Sequence, residues 1–474
     1  MGAPEHLDLL IVGAGISGID AAYHVQHRLP GKSYVILEGR ERIGGTWDLF
    51  RYPGVRSDSD MYTLGFPFRP WRGDRSIVEG AEIRDYVEET AREFGIDRRI
   101  RFRHRATKAS WSSAEARWTV EAGTPDGPRL FTCGFLYLCG GYYDYEQGYR
   151  PRWPGEEDFA GRIVHPQHWP ADLDFADQRV AVIGSGATAV TLVPAMAATA
   201  AHVTMVQRSP SYVVSRPSRD ALAPRIGPAL TRLKNVALGS FFFHLARRRP
   251  ERTREKLLDL VRGELPEDFD TDRHFGPRYN PWEQRLCLVP DGDLFGAIRA
   301  GKASVATGEI ERCTPSGLRL AGGEEVEADI IVAATGLVVK LMGGVALDLD
   351  GTPADAAGRL VYKGMMLEGV PNLAFAFGYT NASWTLKCDL GARHLCRLLK
   401  YMDDRDYRLC IARVRGEAVE PKPLLDFSSG YIARAAAVLP KQGDRKPWRV
   451  PQNYFRDVWT LGLGRVADKE MEFR

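Results

Sequence analysis

Paired cysteines are missing from this chain. Its seven cysteines (Cys133, Cys139, Cys287, Cys313, Cys388, Cys396 and Cys410) are odd in number and dispersed, with no C-x-x-C among them. That spacing excludes a dithiol redox centre and a zinc site, so no metal is expected, and it points to a reducing compartment. Charge of one sign is lacking as well. The 64 Lys and Arg stand against 61 Asp and Glu, a formal charge of +3, which makes no electrostatic case for nucleic acid. No run approaches the ~18 continuous apolar residues that a membrane span needs. The first eight residues carry neither the basic region nor the cleavage site of a signal peptide. His6 stands where a myristoylation motif needs Ser or Thr. A cytoplasmic location is therefore expected. There is no low-complexity tract.

What is present is an ordinary globular composition, 44% hydrophobic and 26% charged, over 474 residues. This is enough for roughly three units of about 150 residues each. Glycine is abundant at 48 residues, which hints at several tight backbone turns. The first is placed informatively. An apolar run at 7–12 leads into Gly13-Ala14-Gly15-Ile16-Ser17-Gly18, then a helical stretch to residue 28, then a strand at 33–37 that ends on Glu38. In such a strand–turn–helix, Gly13 allows the sharp turn, Gly15 lets a pyrophosphate approach, and Gly18 permits close helix–strand packing. The helix N-terminus faces the phosphates with unpaired N–H groups. Glu38, twenty residues beyond Gly18, is placed to accept ribose hydroxyls. The alternative is a glycine-rich turn in an α/β core without ligand.

A second copy follows. Residues 178–183 form its strand, Gly184-Ser185-Gly186-Ala187-Thr188-Ala189 its turn, and a helix runs to about residue 198. The next strand, 202–206, ends in Gln207-Arg208-Ser209-Pro210, with an arginine where the first copy has a glutamate. A carboxylate would repel a ribose 2′-phosphate, whereas an arginine pairs with it through two N–H groups. The second site is therefore expected to prefer NADPH and the first a non-phosphorylated adenosine, as in FAD; a solvated strand-end charge is the plain alternative for Arg208. One cofactor delivering hydride and the other receiving it is the layout of a flavoprotein. Apolar runs at 135–139 and 329–334, ending in Gly140-Gly141 and Thr335-Gly336, suit strands that bring backbone to a cofactor edge or simply leave a sheet.

Residues 216–283 are rich in Arg, Leu and Phe at helical spacing and are expected to be a helical insertion. Residues 246–262 carry seven Lys and Arg against three acids, directly after Phe241-Phe242-Phe243. The preferred reading is a core-packing aromatic patch followed by a solvated helix face, with contact to a membrane surface as the alternative. The expected fold is α/β with two Rossmann-like dinucleotide-binding domains. The FAD domain is discontinuous, 1–148 and 337–474. The NADPH domain spans 153–215 and 284–336, with the insertion at 216–283 between its parts.

Three further constellations stand out. The first is Gly44-Gly45-Thr46-Trp47-Asp48-Leu49-Phe50-Arg51-Tyr52-Pro53-Gly54-Val55-Arg56-Ser57-Asp58. The second is Phe159-Ala160-Gly161-Arg162-Ile163-Val164-His165-Pro166-Gln167-His168-Trp169-Pro170. The third is Gln284-Arg285-Leu286-Cys287. These residues resemble the type I Baeyer–Villiger monooxygenases of the flavin-containing monooxygenase superfamily. The fingerprint F-x-G-x-x-x-H-x-x-x-W-(P/D) is met by Phe159, Gly161, His165, Trp169 and Pro170. The flavin-side motif (A/G)-G-x-W-x-x-x-x-(F/Y)-P-(G/M)-x-x-x-D is met by Gly44, Gly45, Trp47, Tyr52, Pro53, Gly54 and Asp58. With Asn280-Pro281-Trp282 and the block from Gly378 to Thr385, the chain is similar along nearly its whole length to the ethionamide-activating subgroup.

The resemblance implies a cycle in which NADPH reduces FAD and O₂ is held as a flavin C4a-peroxide. The peroxide attacks a ketone, and the adduct rearranges to an ester or lactone. Sulfoxidation of thio compounds is an expected side activity, and a flavin-containing N- or S-oxygenase acting on amines or thio compounds is the alternative. By resemblance Arg285 is the permanent cation beside the flavin, and Asp58 is the carboxylate that pairs with it and also contacts cofactor. Fixed positive charge there would stabilise the developing oxyanion; a structural salt bridge is the competing reading of the pair. The cofactor-binding set is Gly13, Gly15, Ser17, Gly18, Glu38, Gly45, Thr46, Trp47, Asp58 and Ala106 for FAD. For NADPH it is Gly184, Gly186, Ala187, Thr188, Ala189, Arg208 and Ser209. His165 is expected to act through hinge geometry instead of proton transfer, and Trp169-Pro170 through linker packing. The chain departs from the family at Gln284, where a lysine that helps hold the 2′-phosphate is usual. Trp448 is a candidate substrate-lid tryptophan, and Trp384 a candidate neighbour of the flavin. Substrate is expected to be a small ketone or thio compound, with O₂ as co-substrate.

Overall fold

Two sheets organise the chain. The computed structural model describes residues 4–284, 286–425 and 430–474. In the first sheet, Ile100–Arg101, Tyr34–Leu37, Glu5–Val12 and Arg129–Leu138 lie side by side and parallel. Leu9, Leu10 and Ile11 are all fully buried, because a parallel strand covered on both faces needs a continuous apolar run. Arg129–Leu138 then forks. Its first half pairs antiparallel with Arg117–Gly123, which pairs with Arg105–Ser112, while its last three residues pair parallel with Leu373–Phe375. Chain from beyond the second sheet thus returns to complete the first. One face is covered by Ile16–Arg28 packed on the 20-residue helix Trp384–Asp403, and the antiparallel meander lies toward the other.

The second sheet is wholly parallel, in the order Ala303–Thr307, His202–Gln207, Arg179–Ile183, Ile330–Ala333, Arg162–Val164. The helix Ala187–Ala197 covers one face with Leu192, Val193 and Met196 fully buried. Chain crosses between the sheets twice, near 148–154 and 334–337, and the crossings are bonded to each other. Tyr149 N–H donates to the Gly336 carbonyl at 3.0 Å, and the Thr335 hydroxyl donates to the Tyr149 carbonyl at 2.6 Å. The His165 ring lies against this double crossing, so close to Gly148 that a Cβ there would sit 1.9 Å from the ring.

Within the second unit, Val213–Arg216 pairs with Cys287–Pro290, and the helices Ala223–Arg248, Pro250–Arg262 and Thr271–Phe275 lie between them in sequence. Gly227, at φ 75°, interrupts the first of these. Two expectations are corrected here. Phe241 and Phe242 do not pack into a core: they are 61% and 58% exposed, and only Phe243 turns inward, edge-on to Trp282. Trp448 is no lid, since it is completely buried in the first unit against Tyr362. No helix among the described residues is long and apolar enough to cross a membrane.

Candidate functional site

Both glycine turns open into one cleft of about 1110 Å³ between the sheets. The turns are built alike. At Gly13 (φ 103°) an added Cβ would lie 2.6 Å from the Cys139 carbonyl, and at Gly184 (φ 140°) 2.4 Å from that of Ala334. Each first glycine is thus pressed against the exit of a neighbouring parallel strand, where only a residue without Cβ fits. Gly15 and Gly186 cap the helices that follow. Neither helix has a side-chain cap or an acid in its first turn, so the N–H groups and positive dipole end face the cleft unneutralised. These donors suit the pyrophosphates of two dinucleotides.

The two strand ends differ in charge. Glu38 is 6% exposed, and its carboxylate accepts from Ala14 N at 2.7 Å and Arg40 N at 2.9 Å. Burial outweighs these bonds and pushes its pKa up. Arg208 is exposed on the cleft wall, and its side chain makes no ion pair or hydrogen bond among the described residues. Ser209 is beside it, its carbonyl accepting from Ser185 Oγ at 3.0 Å. Gln284, also on the wall, brings no charge.

Of the residues singled out from sequence, Gly13, Gly15, Ser17, Glu38, Gly45, Thr46, Trp47, Asp58 and Ala106 line the cleft, as do Gly184, Gly186, Ala187, Thr188, Arg208 and Ser209. Gly18 and Ala189 do not. Gly18 is buried behind the turn, where a Cβ would meet the Gly13 carbonyl at 1.9 Å, and Ala189 is fully buried. Both serve helix–strand packing. Arg285 lies outside the described residues. His165 lies off the cleft, and burial holds its pKa below the usual imidazole value. Trp169 packs on the second core against Phe175.

The segment carrying Asp58 starts in the first unit and crosses to the second. Tyr52 joins the second unit's core, a Cβ at Gly54 would sit 2.7 Å from Ala195, and Arg56 bonds Asp293 at 2.5 Å. Asp58 lines the cleft at the end of this strap. Gly45 meets the Gly15 backbone closely (a Cβ there would be 3.1 Å away), and Thr46 bonds Tyr145 at 3.3 Å.

Several cleft residues were not singled out from sequence. Tyr142 and Tyr145 follow the Gly140-Gly141 strand exit, and an aromatic run directly after a glycine pair was the available signal. Trp384, weighed above as a flavin neighbour, stacks on Tyr142 at 4.9 Å and donates its indole N–H to Ser17 Oγ at 3.0 Å. Tyr379 donates to Asp457 Oδ2 at 2.7 Å, and the buried Lys387 ammonium lies 3.5 Å from the same oxygen. Burial pushes the tyrosine and aspartate pKa values up and the lysine down. This cluster ties the cleft wall to the C-terminal stretch. Arg434, over the Tyr149 ring at 3.5 Å, had no sequence signal.

With this geometry in place, likeness to known proteins can be read. The model of the flavin-binding monooxygenase-like family matches residues 8–340. The FAD-containing monooxygenase EthA of Mycobacterium tuberculosis is 53% identical over 478 residues, covering 99% of this chain and 98% of that protein. Among solved structures, an oxidized steroid monooxygenase bound to NADP superposes with a TM-score of 0.77 at 20% identity, over 99% of both chains. OTEMO in complex with FAD and NADP superposes with a TM-score of 0.75 at 20% identity, over the whole of both chains.

Proposed function

The chain belongs to the flavin-binding monooxygenase-like family, and from that premise we propose that it is an FAD-containing, NADPH- and O₂-dependent Baeyer–Villiger monooxygenase. It converts a ketone to an ester or lactone and oxidises thio compounds as a second activity. The balance is NADPH, a proton, O₂ and ketone giving NADP⁺, water and ester, with one oxygen atom entering beside the carbonyl. The carrying observation is the single cleft that receives both glycine turns, with a carboxylate at one strand end and an arginine at the other. In this reading the FAD domain comprises 1–148 and 337–474, and the NADPH domain 153–336 with its helical insertion.

The chain's residues divide the work. Gly13, Gly15 and the first turn of Ile16–Arg28 hold the FAD pyrophosphate, Glu38 takes the ribose, and Gly45, Thr46 and Trp47 run along the flavin. Gly186, Ala187 and Thr188 hold the NADPH pyrophosphate, and Arg208 with Ser209 takes the 2′-phosphate. Bound flavin supplies the two-electron carrier that accepts hydride and activates O₂. Arg285 stabilises negative charge on the attacked carbonyl oxygen, and Asp58, on the cleft lining, positions that arginine. A cation fixed before the reaction costs no reorganisation as the charge develops. Arg285→Ala tests the assignment: purified variant should remain yellow and oxidise NADPH, yet form no ester from a ketone. Normal ester yield would remove Arg285 from the mechanism. Amine hydroxylation by the parent enzyme without any ester would replace the reading with an N-oxygenase.

A further inference from the structure

Six Lys and Arg line the cleft among the described residues, and four of them are already paired. Arg40 meets Asp48, Arg56 meets Asp293, Arg105 meets Glu146 and Lys340 meets Asp144. Arg208 and Arg434 are the two that make no ion pair among the described residues. Arg434 stands on the short helix Gly430–Ala435, whose Ile432 and Ala435 are buried in the core of the first unit. Its guanidinium lies over the Tyr149 ring at 3.5 Å, and a Cβ on Gly336 would sit 3.7 Å from its Nη2. A cation over an aromatic face is held in place without being neutralised, because the ring carries no net charge. Arg434 is thus a positive charge fixed on the first unit and presented at the double crossing, where chain leaves the second.

Sheet order decides what this charge can reach. In the second sheet the strand Arg179–Ile183 ends in the turn at Gly184, with His202–Gln207 on one side and Ile330–Ala333 on the other. Arg208 follows the first of these neighbours, and Gly336, beside Arg434, follows the second. Strands lie about 4.8 Å apart, so the two cations belong to strand exits on opposite sides of the turn. A dinucleotide with its pyrophosphate on the turn and its 2′-phosphate at Arg208 sends its nicotinamide half toward Arg434. The pyrophosphate carries full negative charge, and the N–H groups of the turn answer it with only a partial positive one. An arginine supplies the rest, with N–H donors in a fork that matches phosphate oxygens.

We propose that Arg434 is the first unit's contribution to the NADPH site, where its guanidinium binds the pyrophosphate on the nicotinamide side. The bound dinucleotide is then gripped from both units, by Arg208 on the second and by Arg434 on the first. This assignment rests on the reading of the Gly184 turn as the NADPH site. The test is calorimetric titration of the oxidised, FAD-loaded full chain with NADP⁺ and with adenosine 2′,5′-bisphosphate. The second ligand keeps the 2′-phosphate and lacks the nicotinamide-side phosphate. Arg434→Ala should weaken NADP⁺ about 5- to 30-fold and leave the bisphosphate at wild-type affinity. Arg434→Lys, which keeps the charge and gives up the planar fork, should fall between the two. Unchanged NADP⁺ affinity in Arg434→Ala overturns the proposal. So does equal weakening of both ligands, since Arg434 would then only hold the crossing in shape, and so does a lysine variant as weak as the alanine one. Wild type that binds neither ligand would remove the dinucleotide reading of the turn itself, and this assignment with it.

Discussion

Arg208→Ala should change which nicotinamide cofactor the enzyme prefers, and the structure sets the size of the effect. Arg208 is exposed on the cleft wall and makes no side-chain bond among the described residues. Its charge is available in full to a 2′-phosphate. A hydrogen bond to a charged group is worth about 1.5–3 kcal/mol when well shielded, and solvent screening at this open position reduces that to about 1–2 kcal/mol. Gln284, which lines the same cleft, supplies no charge to compensate. At about 1.4 kcal/mol per factor of ten, kcat/KM for NADPH should fall roughly 5- to 30-fold while that for NADH stays level. Steady-state oxidation of each cofactor across a salt series measures it, and the NADPH penalty should shrink as salt rises. Equal losses with both cofactors would refute the reasoning, because then Arg208 shapes the cleft and does not read the phosphate.

Two further outcomes follow from the backbone and the core. Gly13→Ala places a Cβ 2.6 Å from the Cys139 carbonyl at φ 103°; strain and repacking together should cost about 2–5 kcal/mol. The purified variant should be colourless, whereas Gly31→Ala, with nothing within 4 Å, should stay yellow; a yellow Gly13→Ala protein would contradict the turn assignment. His394 is 2% exposed, with Nδ1 3.0 Å from the Leu461 carbonyl. Burial, helped by the Lys363 and Arg397 charges and opposed by Asp468, pushes its pKa down to about 3. Unfolded chain takes up this proton below about pH 6.5 and folded protein does not, so stability is level above that point and falls as pH drops toward 3, by up to about 1.4 kcal/mol per pH unit. Thermal midpoints measured from about pH 7 to about pH 4 should show this slope in the wild type and a shallower one in His394→Asn. Parallel curves would rule the histidine out.

Much of the site could be read locally. Each glycine turn sits between an apolar strand and a helix with no acid in its first turn, and Glu38 and Arg208 stand at matching strand ends with opposite charge. Phosphate recognition by a strand–turn–helix is built from neighbours in sequence, so its residues announce themselves. Gly18 and Ala189 belong to the same motifs, yet they support the turns from behind. A motif specifies which residues recur and not which of them face the ligand.

Burial of particular aromatics was not legible. Phe241 and Phe242 stand at positions of the same periodicity that places core residues, but whether a helix face is covered depends on what packs over it. Trp448 and Trp384 look alike in sequence; one closes a core against Tyr362 and the other stacks on Tyr142 at the cleft. Asp457 reaches Tyr379 and Lys387 from a distant segment of the chain, and the three had no shared signal.

The amino-acid order alone therefore settled the two dinucleotide turns, the charge that distinguishes them and the family likeness, since all three rest on residues adjacent along the chain. Only the tertiary structure decided that both turns share one cleft, that the strap leading to Asp58 packs on the second unit, and that an apolar helix face is left exposed. Those outcomes depend on contacts between distant segments, where packing and shared burial set the arrangement and no local spacing encodes it.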